Sequence, residues 1–222
     1  MKVTANNLFN KGFLFLLFFV SHLSYSQSDF NFSKFYHGIE FGMNMNSPEF
    51  MINESAEPSS AFGFFIGYLA ERDLSDNLYV RFGFNFNRRN FNAISRRGIN
   101  TTEEKWGIDV IEIPVNLGYY LNWNNKNLQF FVDAGFSFGY NSRVIIENDE
   151  ETIRLDIGSD GDIQRITIGA NAGAGLLFKK RTKVRLNYYN SLTNIANTEG
   201  DIWKNKTIGL SISYFLREKE GY

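Results

Sequence analysis

The amino-acid sequence predicts an all-β protein, an eight-stranded antiparallel up-and-down transmembrane β-barrel. Three observations predict it. Eight segments alternate apolar and polar residues with a period of two, the glycines within them keep one phase, and the connections between them alternate between short and long. No stretch beyond the N-terminal segment is long and apolar enough to span a bilayer as a helix, which takes roughly 20 residues. A chain of this kind crosses a membrane only as a closed barrel, because lipid offers no partner for open backbone groups.

Residues 1–26 read as a signal peptide and 27–222 as the barrel domain. Lys2 and Lys11 form a basic start, Gly12 to Val20 is an apolar run, and Ser24 and Ser26 supply the small residues before a cleavage site at Gln27. Without Lys2 and Lys11 the chain keeps 21 basic against 24 acidic residues, a net charge of −3. No basic stripe is present to hold phosphates, so nucleic acid is not an expected partner. The absence of cysteine rules out a disulfide framework or a thiolate metal site.

The strands follow in order. Period-two patterns cover about Phe35–Asn46, Phe62–Glu71, Leu78–Phe91, Ile108–Asn122, Leu128–Tyr140, Arg165–Phe178, Lys183–Leu192 and Ile208–Leu216. In the fifth, Leu128, Phe130, Val132, Ala134, Phe136, Phe138 and Tyr140 share one face, while Gln129, Asp133, Gly135, Ser137 and Gly139 share the other. Each run suffices for a tilted spanning strand of about 9–11 residues. Gly38, Gly42, Gly63, Gly67, Gly83, Gly118, Gly135, Gly139, Gly169, Gly173, Gly175 and Gly209 all fall in the polar phase. A narrow lumen needs large and missing side chains to interleave, so this phase is expected to face inward.

Short turns are expected near Arg72–Asn77, Trp123–Asn127 and Lys179–Thr182. Longer polar loops are expected near Ser47–Ser60, Ile94–Lys105, Glu147–Asp162 and Ile195–Trp203. This asymmetry matches short periplasmic turns and long extracellular loops. Tyr36, Tyr68, Tyr79, Tyr119, Trp123, Phe178 and Tyr214 would then mark the periplasmic rim, and Phe62, Phe91, Trp106, Tyr140 and Trp203 the outer one. The alternative is a soluble sandwich or lipocalin-like barrel with its apolar face turned inward.

The runs Glu112-Ile113-Pro114-Val115, Asp133-Ala134-Gly135-Phe136, Gly169 to Gly175 and Tyr188 to Ile195 resemble the PorT-type outer-membrane β-barrel domain, a family widespread in Bacteroidetes. The resemblance covers nearly the whole mature chain and rests on barrel motifs, not active-site motifs. It implies an eight-stranded barrel in the outer membrane, and for a few members an association with type IX secretion and gliding. Many such barrels end on an aromatic residue of the last strand. Here a charged tail follows Leu216 before Tyr222.

The inward phase carries Glu40, Glu71, Arg81, Glu112, Asp133, Arg165, Lys183 and Arg185. Paired carboxylates can serve as acid and base, but charges buried in a filled barrel must pair with one another, so these eight are expected to form a structural luminal network. No catalytic residue, cofactor or metal ligand is assigned. His37 lies near the periplasmic start of the first strand, far from an outer rim where a hydrolase would use it. Gly169 to Gly175 superficially looks like a phosphate loop, yet no helix pattern follows it. Asp156 to Asp162 could offer calcium its carboxylates but lacks EF-hand spacing, so a solvated acidic loop is expected. Arg88, Arg89, Arg96 and Arg97 form a basic cluster near the second long loop, suited to lipopolysaccharide phosphates or to an ordinary charged rim.

The expected function is a filled outer-membrane barrel with a structural or interaction role through its extracellular loops. Its expected partners are outer-membrane lipid and envelope or secretion proteins. A narrow pore and an outer-rim lipid-modifying enzyme are the alternatives.

Overall fold

The computed structural model describes residues 35–51, 56–97, 100–121, 127–148 and 151–219. The expected signal peptide, Trp123 and Tyr222 lie outside them. Eleven strands follow one another: β1 (Tyr36–Asn46), β2 (Glu49–Met51), β3 (Ala56–Asp73), β4 (Leu78–Arg97), β5 (Asn100–Leu121), β6 (Leu128–Glu147), β7 (Thr152–Arg154), β8 (Ile166–Phe178), β9 (Thr182–Ser191), β10 (Ile202–Lys204) and β11 (Lys206–Phe215). Eight of them form a ring in the order β1, β3, β4, β5, β6, β8, β9, β11. First and last strands close it, antiparallel, from Gly38 opposite Phe215 to Asn46 opposite Thr207. Closure leaves no edge with unpaired backbone groups along the wall, which is the condition for crossing lipid.

The ring is apolar outside and polar inside. On β1, Ile39, Phe41 and Met43 are 55–61% exposed whereas Glu40 between them is 3% exposed. The same alternation runs through β11, where Ile208, Leu210, Ile212 and Tyr214 point out and Thr207, Ser211 and Ser213 are buried. In water so broad an apolar face would be untenable. A soluble barrel with an apolar interior is therefore excluded.

Two inward glycines show why that phase needs them. A Cβ on Gly118 would come within 2.1 Å of the Tyr79 ring, and one on Gly173 within 2.3 Å of the Arg185 guanidinium. Each glycine makes room for a neighbour's long side chain to lie flat across the lumen.

The connections differ from the sequence expectation on one side. On the short side, β8 turns into β9 over three residues, with Lys179 and Lys180 both at positive φ (45° and 55°). This is the backbone of a primed hairpin turn, normally given to Asn or Gly. On the long side, Ile94–Lys105 is not a loop. Strand pairing between β4 and β5 continues from Phe91 opposite Trp106 to Arg97 opposite Asn100, leaving only 98–99 between them. The polar, β-competent residues of this stretch extend the ladder into a hairpin beyond the apolar belt. The first and fourth long connections supply β2 and β10, which pair with each other from Phe50 opposite Trp203.

Candidate functional site: a charged lumen sealed at both ends

Inward residues stack in three storeys along the barrel. The floor, at the end of the short turns, is built on Glu71, which accepts hydrogen bonds from Lys183 Nζ at 2.6 Å, from Tyr120 Oη and from Lys219 Nζ. Lys219 also reaches Asp73 at 2.7 Å and the Tyr120 hydroxyl at 2.7 Å. The Lys183 ammonium, fully buried, sits 4.0 Å from the Tyr79 ring centre and 4.3 Å from that of Phe131. Leu69, Leu177, Phe215 and Tyr36 pack around this group. Aromatic faces solvate a buried cation where water is excluded.

The middle storey holds three ion pairs. Arg185 grips Asp133 with two nitrogens, Nη2 to Oδ1 at 2.6 Å and Nε to Oδ2 at 3.1 Å, and Asn116 adds a third donor at 2.9 Å. Arg81 meets Glu40 at 2.5 Å, with Ser211 and Ser213 donating to the other carboxylate oxygen. Arg89 meets Glu112 at 2.6 Å and lies 4.1 Å from the Tyr189 ring centre, while Asn87 donates to Glu112 at 2.7 Å. Floor and middle together pair Glu40, Glu71, Asp73, Glu112 and Asp133 with Arg81, Arg89, Lys183, Arg185 and Lys219. The lumen is thus formally neutral, as a low-dielectric interior demands.

The outer storey is apolar. Phe50, Phe91, Trp106 and Trp203 pack with ring centres 4.9–5.7 Å apart. Ile108, Val110, Val144, Ile146, Ile163, Ile195 and Ala196 complete the cluster. Strands β2 and β10 carry Phe50 and Trp203 over the mouth onto Phe91 and Trp106 of the wall strands β4 and β5, so connections and wall assemble the lid together. Trp203 Nε1 donates to Asn205, which also accepts from Asn46, tying the lid to the wall strands.

Seven of the eight residues expected in the lumen are there: Glu40, Glu71, Arg81, Glu112, Asp133, Lys183 and Arg185 are all buried and paired. Arg165 is not. The ladder of β8 begins at Ile166, so the alternation does not reach Arg165, which is exposed and donates to the Tyr140 hydroxyl at 2.9 Å and the Ile157 carbonyl at 2.6 Å. The structure adds Arg89, Asp73 and Lys219 to the network. Arg89 stands inside and not with the outer basic cluster expected of it, because it shares the odd phase of Arg81, Asn85 and Asn87, a signal present in the sequence. Arg88 points the other way and pairs with Asp109 at 3.2 Å.

Five aromatics expected at the membrane rims are corrected in the same way. Tyr36, Tyr79, Phe91, Trp106 and Trp203 are all under 8% exposed and belong to the seals, because they stand in the inward phase or on the lid. Tyr68, Tyr119, Phe178 and Tyr214 point outward at the short-turn end, as do Phe62 and Tyr140 at the other. His37 hydrogen-bonds the Tyr68 hydroxyl near the start of β1. The acidic loop folds on itself: Asn197 Nδ2 donates to the carbonyls of Gly158, Ser159 and Gly161, and Asp162 accepts from the Asp156 amide. Among the described residues no three His, Asp or Glu side chains converge as a metal site.

A closed ring with an apolar belt, a paired charged lumen and extensions beyond the belt on one side defines a small membrane-spanning barrel. The chain belongs to the outer membrane protein beta-barrel domain family, whose model matches residues 25–197. It is accordingly an outer-membrane protein. Its fold is similar to that of Ail, the attachment invasion locus protein of Yersinia pestis, at 12% identity, covering 82% of this chain and 99% of that one, with a TM-score of 0.44. It is also similar to Neisserial surface protein A (13% identity, 80% and 96% covered, TM-score 0.44) and to OprG from Pseudomonas aeruginosa (10%, 81% and 93%, 0.44). No curated protein matches.

Proposed function

We propose that this protein is a non-conducting, non-enzymatic barrel that serves as a membrane-anchored interaction platform. The observation that carries the reading is the double seal. A lumen plugged by buried ion pairs below and by four aromatic rings above is obstructed, among the described residues, at both ends. Its carboxylates are held by fixed cations, which leaves them poorly suited to act as acid or base on a substrate. What the barrel presents to the outside is the β4–β5 hairpin and the connections carrying β2, β7 and β10. These are the surfaces for partner proteins of the envelope, in an accessory role within a secretion or other envelope complex, with outer-membrane lipid around the belt. The finer placement follows the motifs of the sequence: a PorT-type barrel of a Bacteroidetes bacterium, exported by a signal peptide removed before Gln27.

The test is a mild-detergent pull-down of the tagged protein from outer membranes, with mass spectrometry of what accompanies it. Stoichiometric recovery of envelope or secretion components is the expected result. Recovery of the barrel alone, with discrete conductance steps from the purified protein in a planar bilayer, would replace the platform with the narrow pore.

A further inference from the structure

The lumen holds a space of about 60 Å³ at the level of the middle storey, whose residues line it. Among the described residues, Asn44, Arg81, Asn85, Arg89, Asn116 and Asn171 each keep one buried side-chain nitrogen or oxygen without a hydrogen-bond partner. All six line this one cavity. Buried polar groups left unsatisfied are costly, and six together in one place would weigh heavily against folding. Their concentration around a single space therefore calls for a shared ligand.

The chemistry of the lining selects that ligand. Four of the orphaned atoms are carboxamide oxygens, which accept, and two are guanidinium nitrogens, which donate. A bare cation would face Arg81, Arg89 and Arg185, and a bare anion would face Glu40 and Glu112. Both sets of charges are already paired at 2.5–2.6 Å. Only a small neutral molecule that donates and accepts answers both kinds of group. A water needs roughly 10–15 Å³ of such space, so the cavity accommodates several.

We infer that the mid-membrane cavity is a built water site, a cluster of ordered waters that completes the ion-pair network of Glu40–Arg81, Glu112–Arg89 and Asp133–Arg185. Tyr79, Phe131 and Lys183 stand below the cluster and Phe91, Trp106 and Trp203 above it, all outside its lining. The barrel is thus wet at its centre and dry at both ends. This rests on the sealed-lumen reading above and adds to it that the seals, not the centre, are the barriers to passage.

X-ray radiolytic labelling of the full-length refolded protein tests the site, because hydroxyl radicals formed from a bound water oxidise the side chains beside it. Phe65 lines the cavity and is 6% exposed, while Phe131 and Phe215 sit in the floor at 1% and 0%. Phe65 is expected to be oxidised on the order of tenfold faster than either, as a ring beside ordered water among rings without it. Asn85→Leu, which replaces an orphaned acceptor by an apolar side chain of similar size, is expected to slow Phe65 labelling with the heat-modifiable gel shift retained. Equal, slow labelling of Phe65, Phe131 and Phe215 in the unmodified chain would overturn the water site, whether or not the variant folds. Fast labelling of all three would instead show an open lumen and overturn the sealed reading beneath it.

Discussion

The two ends of this barrel are closed by opposite means. The floor is electrostatic: Glu71 stands between two lysines, and one of them, Lys219, comes from the tail beyond the last strand. The outer lid is apolar: Phe50, Phe91, Trp106 and Trp203 meet without a charge among them. The floor, apart from Lys219, is held by wall strands that lipid surrounds, where each residue is tied into the ladder. The lid hangs on two three-residue strands that pair only with each other. A few apolar contacts can hold short connections because burial is not directional. A charged floor demands fixed geometry, which a closed ring of strands supplies.

The sharpest way to break this comparison is Glu71→Leu. It strips both lysines of their shared counter-ion, at a cost near the upper end of about 3–5 kcal/mol for a broken buried pair. Unfolding by urea in micelles, followed by tryptophan fluorescence, reads it. The double variant Glu71→Leu with Lys183→Met is expected to be more stable than Glu71→Leu alone, since an apolar pair restores neutrality. A double variant no more stable than the single one would mean that packing, not charge, holds the floor.

Trp203→Ala comes next, at about 3 kcal/mol for a truncated buried aromatic. Its effect is expected in the lid alone. Amide exchange of β2 and β10 should accelerate while the β1–β11 seam stays protected, as for a locally opening unit. Equal acceleration at the seam would mean that lid and wall unfold together.

Lys219→Met should cost less, about 1.5–3 kcal/mol for lost hydrogen bonds to charged groups. Lys183 remains on Glu71, and the methionine stem still packs among Tyr36, Tyr79 and Tyr120. The same urea titration measures it. The smallest effect has the opposite sign. Replacing Lys179-Lys180 with Asn-Gly at their positive-φ positions should stabilise the barrel by about 1 kcal/mol, visible as a higher unfolding midpoint.

Much of this site was legible before the fold was known, and the reasons for the rest are specific. Glu40, Arg81, Asp133 and Arg185 declare themselves by standing in the glycine phase of strands whose other phase is apolar. Arg89 and Phe91 stand in that same phase, and counting two residues onward from Asn87 finds them inside. Arg165 shows where such counting stops, since alternation holds only while the chain is in the ladder and β8 begins one residue later. Lys219 carries no periodic signal. It enters the lumen because the tail turns back after Phe215, its amide meeting the Lys180 carbonyl, and only that contact reveals the floor's second cation.

By itself the sequence determined the period of two, the inside-out phase, the eight wall strands and most of the luminal charges. These follow from local alternation, which a β-strand turns directly into faces. Tertiary structure alone decided which charge meets which, that two connections fold over the wall's aromatics to make the lid, and that the tail closes the floor. Those contacts join residues as far apart in sequence as Glu71 and Lys219, and their geometry exists only once the ring has closed.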